Sequence, residues 1–426
     1  MSDLSRKGNY FRRKRNQTHL FGIFESREIN TKNSKGMAQQ NPDLSFILNH
    51  LGEEREEYYG AVSPPIFQTV NFSSPSVGAL REKLKTELEL PFYTRGFNPT
   101  VGTLRKKIAA LEGAEDALVF SSGSAAVAAA VMSSAKNGDH ILCVQKPYSW
   151  TNTLLNKYLR NYGISTSFVD GARTSDIESA ILPNTKLIYL ESPNSLTFEL
   201  QDIEAICLIA KKRNIMTILD NSYNSPLNQR PLQMGVDLVV HSATKYFNGH
   251  SDVIAGAVCG SRERIQKMFA EEYMTIGSVI SPHDAWLLIR GMRTLELRVN
   301  QSAASTQKIV DALEGHPKVE QIFYPFASKN PQLALAKKQM KQGGGLFSLK
   351  LRAASELEVE RFVDSLKRFL IATSWGGYES LAFPLCALAA SKSFENPLPW
   401  NMVRFYVGIE DGELLLEDLL NALATM

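Results

Sequence analysis

The sequence predicts an α/β fold: a largely parallel, seven-stranded sheet covered by helices on both sides, followed by a smaller α+β region. Three observations carry this. Short β-rich apolar runs take turns with helix-periodic stretches over roughly 150 residues, as in a parallel sheet with helical crossovers. The 426 residues are too many for one small core and suit two or three domains packed as a unit. A content of 44% hydrophobic and 21% charged residues is ordinary for a soluble globular chain and argues against disorder.

The first element is a basic extension, residues 1–36. It holds nine Lys/Arg, including Arg12-Arg13-Lys14-Arg15, against three Asp/Glu, so residues 37–426 carry about −3 while the whole chain carries +3. No nucleic-acid surface is therefore expected of the folded part. The stretch lacks an apolar run of secretory length, which excludes a signal peptide; a transit peptide is the weaker reading beside a flexible extension or an upstream start before Met37. No apolar stretch approaches the ~20 residues that cross a bilayer, so no membrane partner is expected. Four widely spaced cysteines (Cys143, Cys207, Cys259, Cys386), mostly inside apolar runs and without a Cys-x-x-Cys pair, argue against zinc, any other metal site or a disulfide framework and fit a reducing cytoplasm.

Residues 37–95, with Pro64-Pro65 and few long periodic segments, read as an arm. From 99 to 113, Val101, Leu104, Ile108 and Leu111 line one helix face, and Gly113 stops the helix. The apolar runs follow: Ala117-Leu118-Val119-Phe120, Ile141-Leu142-Cys143-Val144, Ser167-Phe168-Val169, Leu187-Ile188-Tyr189-Leu190, Met216-Thr217-Ile218-Leu219, Leu238-Val239-Val240 and Ala257-Val258-Cys259. Between them lie helical stretches such as the one with Ile203, Ile206, Cys207 and Ala210 on one face. A long helical stretch from about Pro282 to Leu313 leads into the second region, where Gly343-Gly344-Gly345 turns into a strand from Leu346. The large domain is placed at 96–294 and the small one at 295–426.

Ligands of such sheets bind at the carboxyl ends of the strands. Asp220 directly follows Leu219; alone, it reads equally as a helix cap or turn former. Lys245 ends His241-Ser242-Ala243-Thr244-Lys245, after Val240; alone, it reads as a surface lysine in a turn, but with Ser242 and Thr244 ahead of it the turn fits an imine-forming amine beside a bound phosphate. Ser121-Ser122-Gly123-Ser124 precedes an Ala-rich helix, either as an ordinary Ser-Gly cap or as an anion cradle of backbone N–H groups. Tyr148 follows the next run, where a ring can stack on a flat cofactor, although most single tyrosines are packing residues. Together the four fit pyridoxal 5′-phosphate (PLP), with Lys245 carrying it as a Schiff base and Asp220 keeping its pyridine nitrogen protonated as an electron sink. Burial beside a cationic ring would lower the pKa of the lysine and free its amine.

Further segments carry a resemblance: Tyr93-Thr94-Arg95, Asn98-Pro99-Thr100, Glu191-Ser192-Pro193, Asp220-Asn221, Ser242-Ala243-Thr244-Lys245, Gly249-His250-Ser251-Asp252, Arg290-Gly291, Arg293-Thr294-Leu295, Glu379-Ser380-Leu381 and Val407-Gly408-Ile409-Glu410-Asp411. From about residue 50 onward the chain resembles the cysteine/methionine-metabolism group of fold-type I PLP enzymes, which includes cystathionine γ-synthases, cystathionine β- and γ-lyases and methionine γ-lyase. The resemblance implies phosphate contacts from the Gly123 and Ser124 backbone and the Ser242 and Thr244 hydroxyls, Tyr148 on the ring and Asp220 on its nitrogen. It implies that Tyr93 and Arg95, on an arm reaching the partner subunit, contact the phosphate of the neighbouring chain's cofactor, so that two chains share each site in a dimer or, as expected, a homotetramer. Arg404 matches the arginine that binds a substrate α-carboxylate, with Ser374 beside it.

Two segments resemble bacterial cystathionine β-lyases: Trp375 after Ser374, where γ-acting members usually have a smaller aliphatic residue, and Ser195, where many of them have asparagine. Asn98-Pro99-Thr100 and Ser281-Pro282-His283-Asp284 resemble the γ-acting branch, and Phe383 to Pro399 matches neither; Trp375 also reads as a core aromatic. The expected activity is β-elimination of a small sulfur amino acid, L-cystathionine to homocysteine, pyruvate and ammonia in methionine biosynthesis. Lys245 is expected to take the Cα proton, assisted by Tyr148. The rivals are a γ-acting relative, a transaminase on the same fold and a catalytically silent binding module.

Overall fold

Each of the seven apolar runs becomes a strand of one sheet: β1 (Asp116–Phe120), β2 (His140–Val144), β3 (Ser165–Val169), β4 (Thr185–Glu191), β5 (Met216–Asp220), β6 (Leu238–His241) and β7 (Gly256–Gly260). The computed structural model describes residues 42–390 and 398–426. The extension 1–36 lies outside the described residues, as do residues 391–397 within Phe383–Pro399. The strand order is β1-β7-β6-β5-β4-β2-β3. Strands β2 to β6 pair in parallel, while β7 runs antiparallel to both β1 and β6. That reversal has a local cause: residues 242–255, which join β6 to β7, contain no crossover helix, and a parallel return requires one. Strands β2 and β7 are buried along their whole length, as expected for a sheet covered on both faces.

The helix Pro99–Glu112 is capped at both ends, by the Asn98 side chain accepting from Thr100 N–H at 3.0 Å and by Gly113 at φ 73°. Its apolar face is the predicted one, but Lys107 is fully buried as well. The Lys107 ammonium reaches the carbonyls of Ile47 (3.0 Å) and Leu48 (3.1 Å) and the Glu53 carboxylate (3.1 Å), which ties the helix Leu44–Asn49 to the body. At the far end of the same helix, Glu112 meets His241 Nε2 at 2.9 Å and pins the residue that leads into the Lys245 turn.

A second sheet of five strands has the order β10-β11-β12-β9-β8 and comprises β8 (Val319–Phe323), β9 (Leu346–Leu351), β10 (Leu370–Ile371), β11 (Leu381–Pro384) and β12 (Met402–Tyr406). Phe347 and Phe405 stack across β9 and β12 with centroids 5.3 Å apart, and Phe362 meets Phe405 edge-on from a covering helix. The long helical stretch is two helices, Pro282–Met292 and Leu295–Leu313, interrupted at Arg293-Thr294. Asp43–Met426 form one compact unit, within which the division near residue 295 is our reading of that interruption.

Candidate active site

Because β1, β2, β4, β5 and β6 all point one way, Phe120, Val144, Glu191, Asp220 and His241 end at one edge of the large sheet. The turns leaving that edge carry Gly123, Tyr148 and Lys245. Small residues allow a close approach here: a Cβ on Gly123 would stand 3.0 Å from the Ser242 side chain. Ser122 caps the helix Gly123–Met132 through its side chain, which leaves Ser124 exposed in the first turn. The start of that helix and Ser242 thus form a concave backbone surface of the kind that suits an anion.

The Lys245 amine donates to Ser374 Oγ at 2.5 Å and lies 5.5 Å from the centre of the Trp375 ring. Burial, helped by the charge of Arg404 and opposed by Asp220, brings its pKa down to about 8. Ser374 also offers its carbonyl to Arg404 Nη2 at 3.3 Å, so one residue of the small sheet's loop touches both cations. Ser374 sits at φ 74°, and the following Gly376, at φ 87°, would place a Cβ 2.9 Å from the Lys245 backbone. Only glycine allows this loop to lie against the lysine turn.

Arg404 projects from β12, where Phe383 and Ser348 are its register neighbours and the Phe383 ring lies 5.5 Å from the guanidinium. Among the described residues no carboxylate pairs with it, and burial lowers its pKa to about 10. A half-buried guanidinium without a counter-ion among the described residues is matched to an anionic ligand.

Asp220 accepts the Ser222 backbone N–H at 2.9 Å, and Ser222 Oγ in turn accepts the Ser242 N–H at 2.6 Å, which couples the end of β5 to the lysine turn. Burial raises the Asp220 pKa, while hydrogen bonds from Ser222 and the charges of His241 and Lys245 hold it back. A cationic ring nitrogen would offset that burial cost directly. The Thr244 hydroxyl donates to the Ala255 carbonyl at 3.1 Å and accepts the Ala255 N–H at 3.0 Å, which fixes the turn. Tyr148 is half-exposed at the same edge; burial, then Asp220 and Glu191, raise its phenol pKa. Trp375 is both a wall of the site and a core residue, packed at 5.5 Å from the Tyr246 ring and 6.5 Å from the Tyr223 ring.

Tyr93 and Arg95 stand apart from this cluster. Both are exposed, with the guanidinium 5.7 Å from the Tyr93 ring centre. Sequence reasoning missed Glu191, which is buried beside Asp220, although the signal for the two is the same: a carboxylate closing an apolar strand. It also gave no role to Ser222 or Gly376, since turn contacts leave no periodic trace.

A parallel-sheet edge with an anion cradle, a buried carboxylate and a lysine of lowered pKa defines the class of lysine-anchored PLP enzymes. The chain belongs to the Cys/Met metabolism PLP-dependent enzyme family, whose model matches residues 46–424. It is 38% identical over 382 residues to the cystathionine gamma-lyase of Bacillus subtilis (88% of this chain, 98% of that one), and 37% identical over 384 residues to an L-methionine gamma-lyase of Pseudomonas deceptionensis (88% and 96%). It is also 36% identical over 379 residues to a cystathionine beta-lyase of Lactococcus lactis (88% and 97%). The crystal structure of metB from Corynebacterium glutamicum superposes with a TM-score of 0.84 at 34% identity, covering 90% of this chain and 98% of that one. The chain is thus of fold type I, with PLP as its family's cofactor.

Proposed function

We propose that this chain cleaves the C–S bond of sulfur amino acids by β-elimination, turning L-cystathionine and water into homocysteine, pyruvate and ammonia. The observation that carries the choice is Trp375. A γ-elimination needs a second proton taken from Cβ, so its base must travel along the substrate. The Lys245 amine is instead held by Ser374 at 2.5 Å under an indole wedged against Tyr223 and Tyr246, an arrangement suited to proton transfer at one carbon.

The residues present fit PLP: Gly123, Ser124 and Ser242 would hold its phosphate, joined by Thr244 once its hydroxyl proton turns from the Ala255 carbonyl, Asp220 its ring nitrogen, Tyr148 its ring face and Lys245 its aldehyde carbon, with Tyr93 and Arg95 supplied by a second chain. When bound, PLP supplies an electron sink for the pair left at Cα. Arg404 binds the substrate α-carboxylate as a fork and sets which Cα bond faces the amine. Lys245, unprotonated in part at neutral pH because of its burial, takes the Cα proton. Tyr148, whose phenol burial and two carboxylates keep protonated, donates to the departing thiolate rather than serving as a base.

The γ-acting reading is favoured by Asn98-Pro99-Thr100 and by the γ-lyases among the relatives. Incubation of the purified chain with L-cystathionine separates the two: homocysteine with pyruvate is expected, and cysteine with 2-oxobutyrate would refute β-elimination. Trp375→Ala is expected to raise the share of 2-oxobutyrate, as the amine gains room to reach Cβ; an unchanged product ratio would show that the indole does not set the bond cleaved.

A further inference from the structure

The site contains a second buried carboxylate that the chemistry above leaves unused. Glu191 ends β4 as Asp220 ends β5, the two are register partners, and Glu191 is only 4% exposed. Both its oxygens are engaged: Oε1 accepts from the Ser195 hydroxyl at 2.5 Å, and Oε2 accepts the Tyr148 backbone N–H at 2.7 Å. Tyr148 is the N-cap of the helix Ser149–Thr153 and makes no side-chain cap of its own. The carboxylate of an adjacent strand therefore takes the N-cap backbone N–H, as the acidic member of a capping box does within one helix.

We propose that Glu191, oriented by Ser195, is the positioning residue that holds Tyr148 in place for proton transfer to the leaving group. This rests on the proton-donor role given to Tyr148 above. Burial and then Asp220 push the Glu191 pKa up to about 8 against the pull of these hydrogen bonds, and Oε2 can accept the Tyr148 N–H whether or not the other oxygen carries a proton. The Ser195 hydroxyl on Oε1, together with the Ser195 backbone N–H, fixes the rotation that aims Oε2 at Tyr148, so removing the hydroxyl loosens it. The clamp also has an electrostatic side. The charged groups facing the phenol are Asp220 on β5, Glu191 on β4 and Arg404 on β12; after burial, the two carboxylates raise its pKa and Arg404 opposes them. The serine that marks this segment in the sequence thus has a mechanical part to play.

The test compares Glu191→Gln, Ser195→Ala and wild type as holoenzymes. Three quantities are read: total 2-oxo acid release, the visible cofactor band, and titration of the Tyr148 phenol by NMR of isotope-labelled tyrosine, with Tyr148→Phe assigning the signal. Glu191→Gln is expected to lower kcat about tenfold with KM within about twofold, the pattern of a misplaced group. It is also expected to move the phenol titration to lower pH, because a neighbouring negative charge is lost. Ser195→Ala should lower kcat about threefold and leave the titration in place, because the charge remains. Wild-type kcat in both variants, or a loss confined to KM with an unmoved phenol, overturns the proposal. Should Glu191→Gln fail to retain the cofactor band, Ser195→Ala decides: reduced kcat with the band intact supports the clamp, and unchanged kcat overturns it. Because total 2-oxo acid counts pyruvate and 2-oxobutyrate alike, a mistake about which bond breaks leaves the result untouched. Full activity of Tyr148→Phe would refute the donor role itself, and the clamp's purpose with it.

Discussion

At the scale of single residues, the controlling quantity is the charge on Lys245. A lysine at its ordinary pKa of 10.5 is unprotonated roughly once in 3,000 molecules at pH 7, whereas at about 8 the free amine is roughly a tenth of the population. Capture of PLP by the cofactor-free protein should therefore quicken about tenfold between pH 6 and 7 and level off above pH about 8. Stopped-flow absorbance measures this; a rate still climbing past pH 9 would mean that the amine is not held down by its surroundings. Arg404 gives a second prediction. Arg404→Lys keeps the charge but loses the planar fork, so kcat/KM should fall at least about a hundredfold while the cofactor band stays unchanged. An equal loss of PLP binding would place Arg404 in the cofactor's site instead. Lys245 and Asp220 were legible because each follows an apolar strand and their types complement one chemistry. Glu191 obeyed the same rule and was passed over because its contact with the Tyr148 backbone N–H, 43 residues away along the chain, leaves no mark in the sequence.

At the scale of elements, the seven strands were readable because a sheet buried on both faces needs continuous apolar runs, and this chain has seven. The reversal of β7 was not, since direction depends on what the connection lacks. The burial of Lys107 was hidden too: a lysine in a helical pattern reads as solvated until a neighbouring helix offers it carbonyls. The contact between the loop 374–377 and the lysine turn depends most on Gly376. An alanine there meets both the strain of φ 87° and a Cβ 2.9 Å from the Lys245 backbone. Gly376→Ala is expected to cost about 2 kcal/mol or more in denaturant unfolding, and to depress kcat by displacing Ser374 and Trp375 together. Wild-type stability with normal turnover would mean that the loop can lift away without consequence.

At the scale of the whole molecule, one chain exposes what a complete site should enclose. Tyr93 and Arg95 are solvent-facing, and the arm around them also exposes Tyr59, Val62, Val70 and Val77. Apolar side chains clustered on one arm suit a partner surface. We propose as that partner a second copy of this chain, with Tyr93 and Arg95 of the first reaching the phosphate bound in the site of the second. That arrangement has an arithmetic consequence. Arg95→Ala spoils the neighbour's site and Lys245→Ala spoils its own, so a heterodimer of the two variants concentrates both lesions in one site and leaves the other intact. Random exchange makes half the dimers mixed, with one working site in two, so refolding the variants together should restore about a quarter of wild-type activity although each alone is nearly silent. If each chain instead completes its own site, every site in every dimer carries one lesion, and the mixture will show no more than the average of its parts.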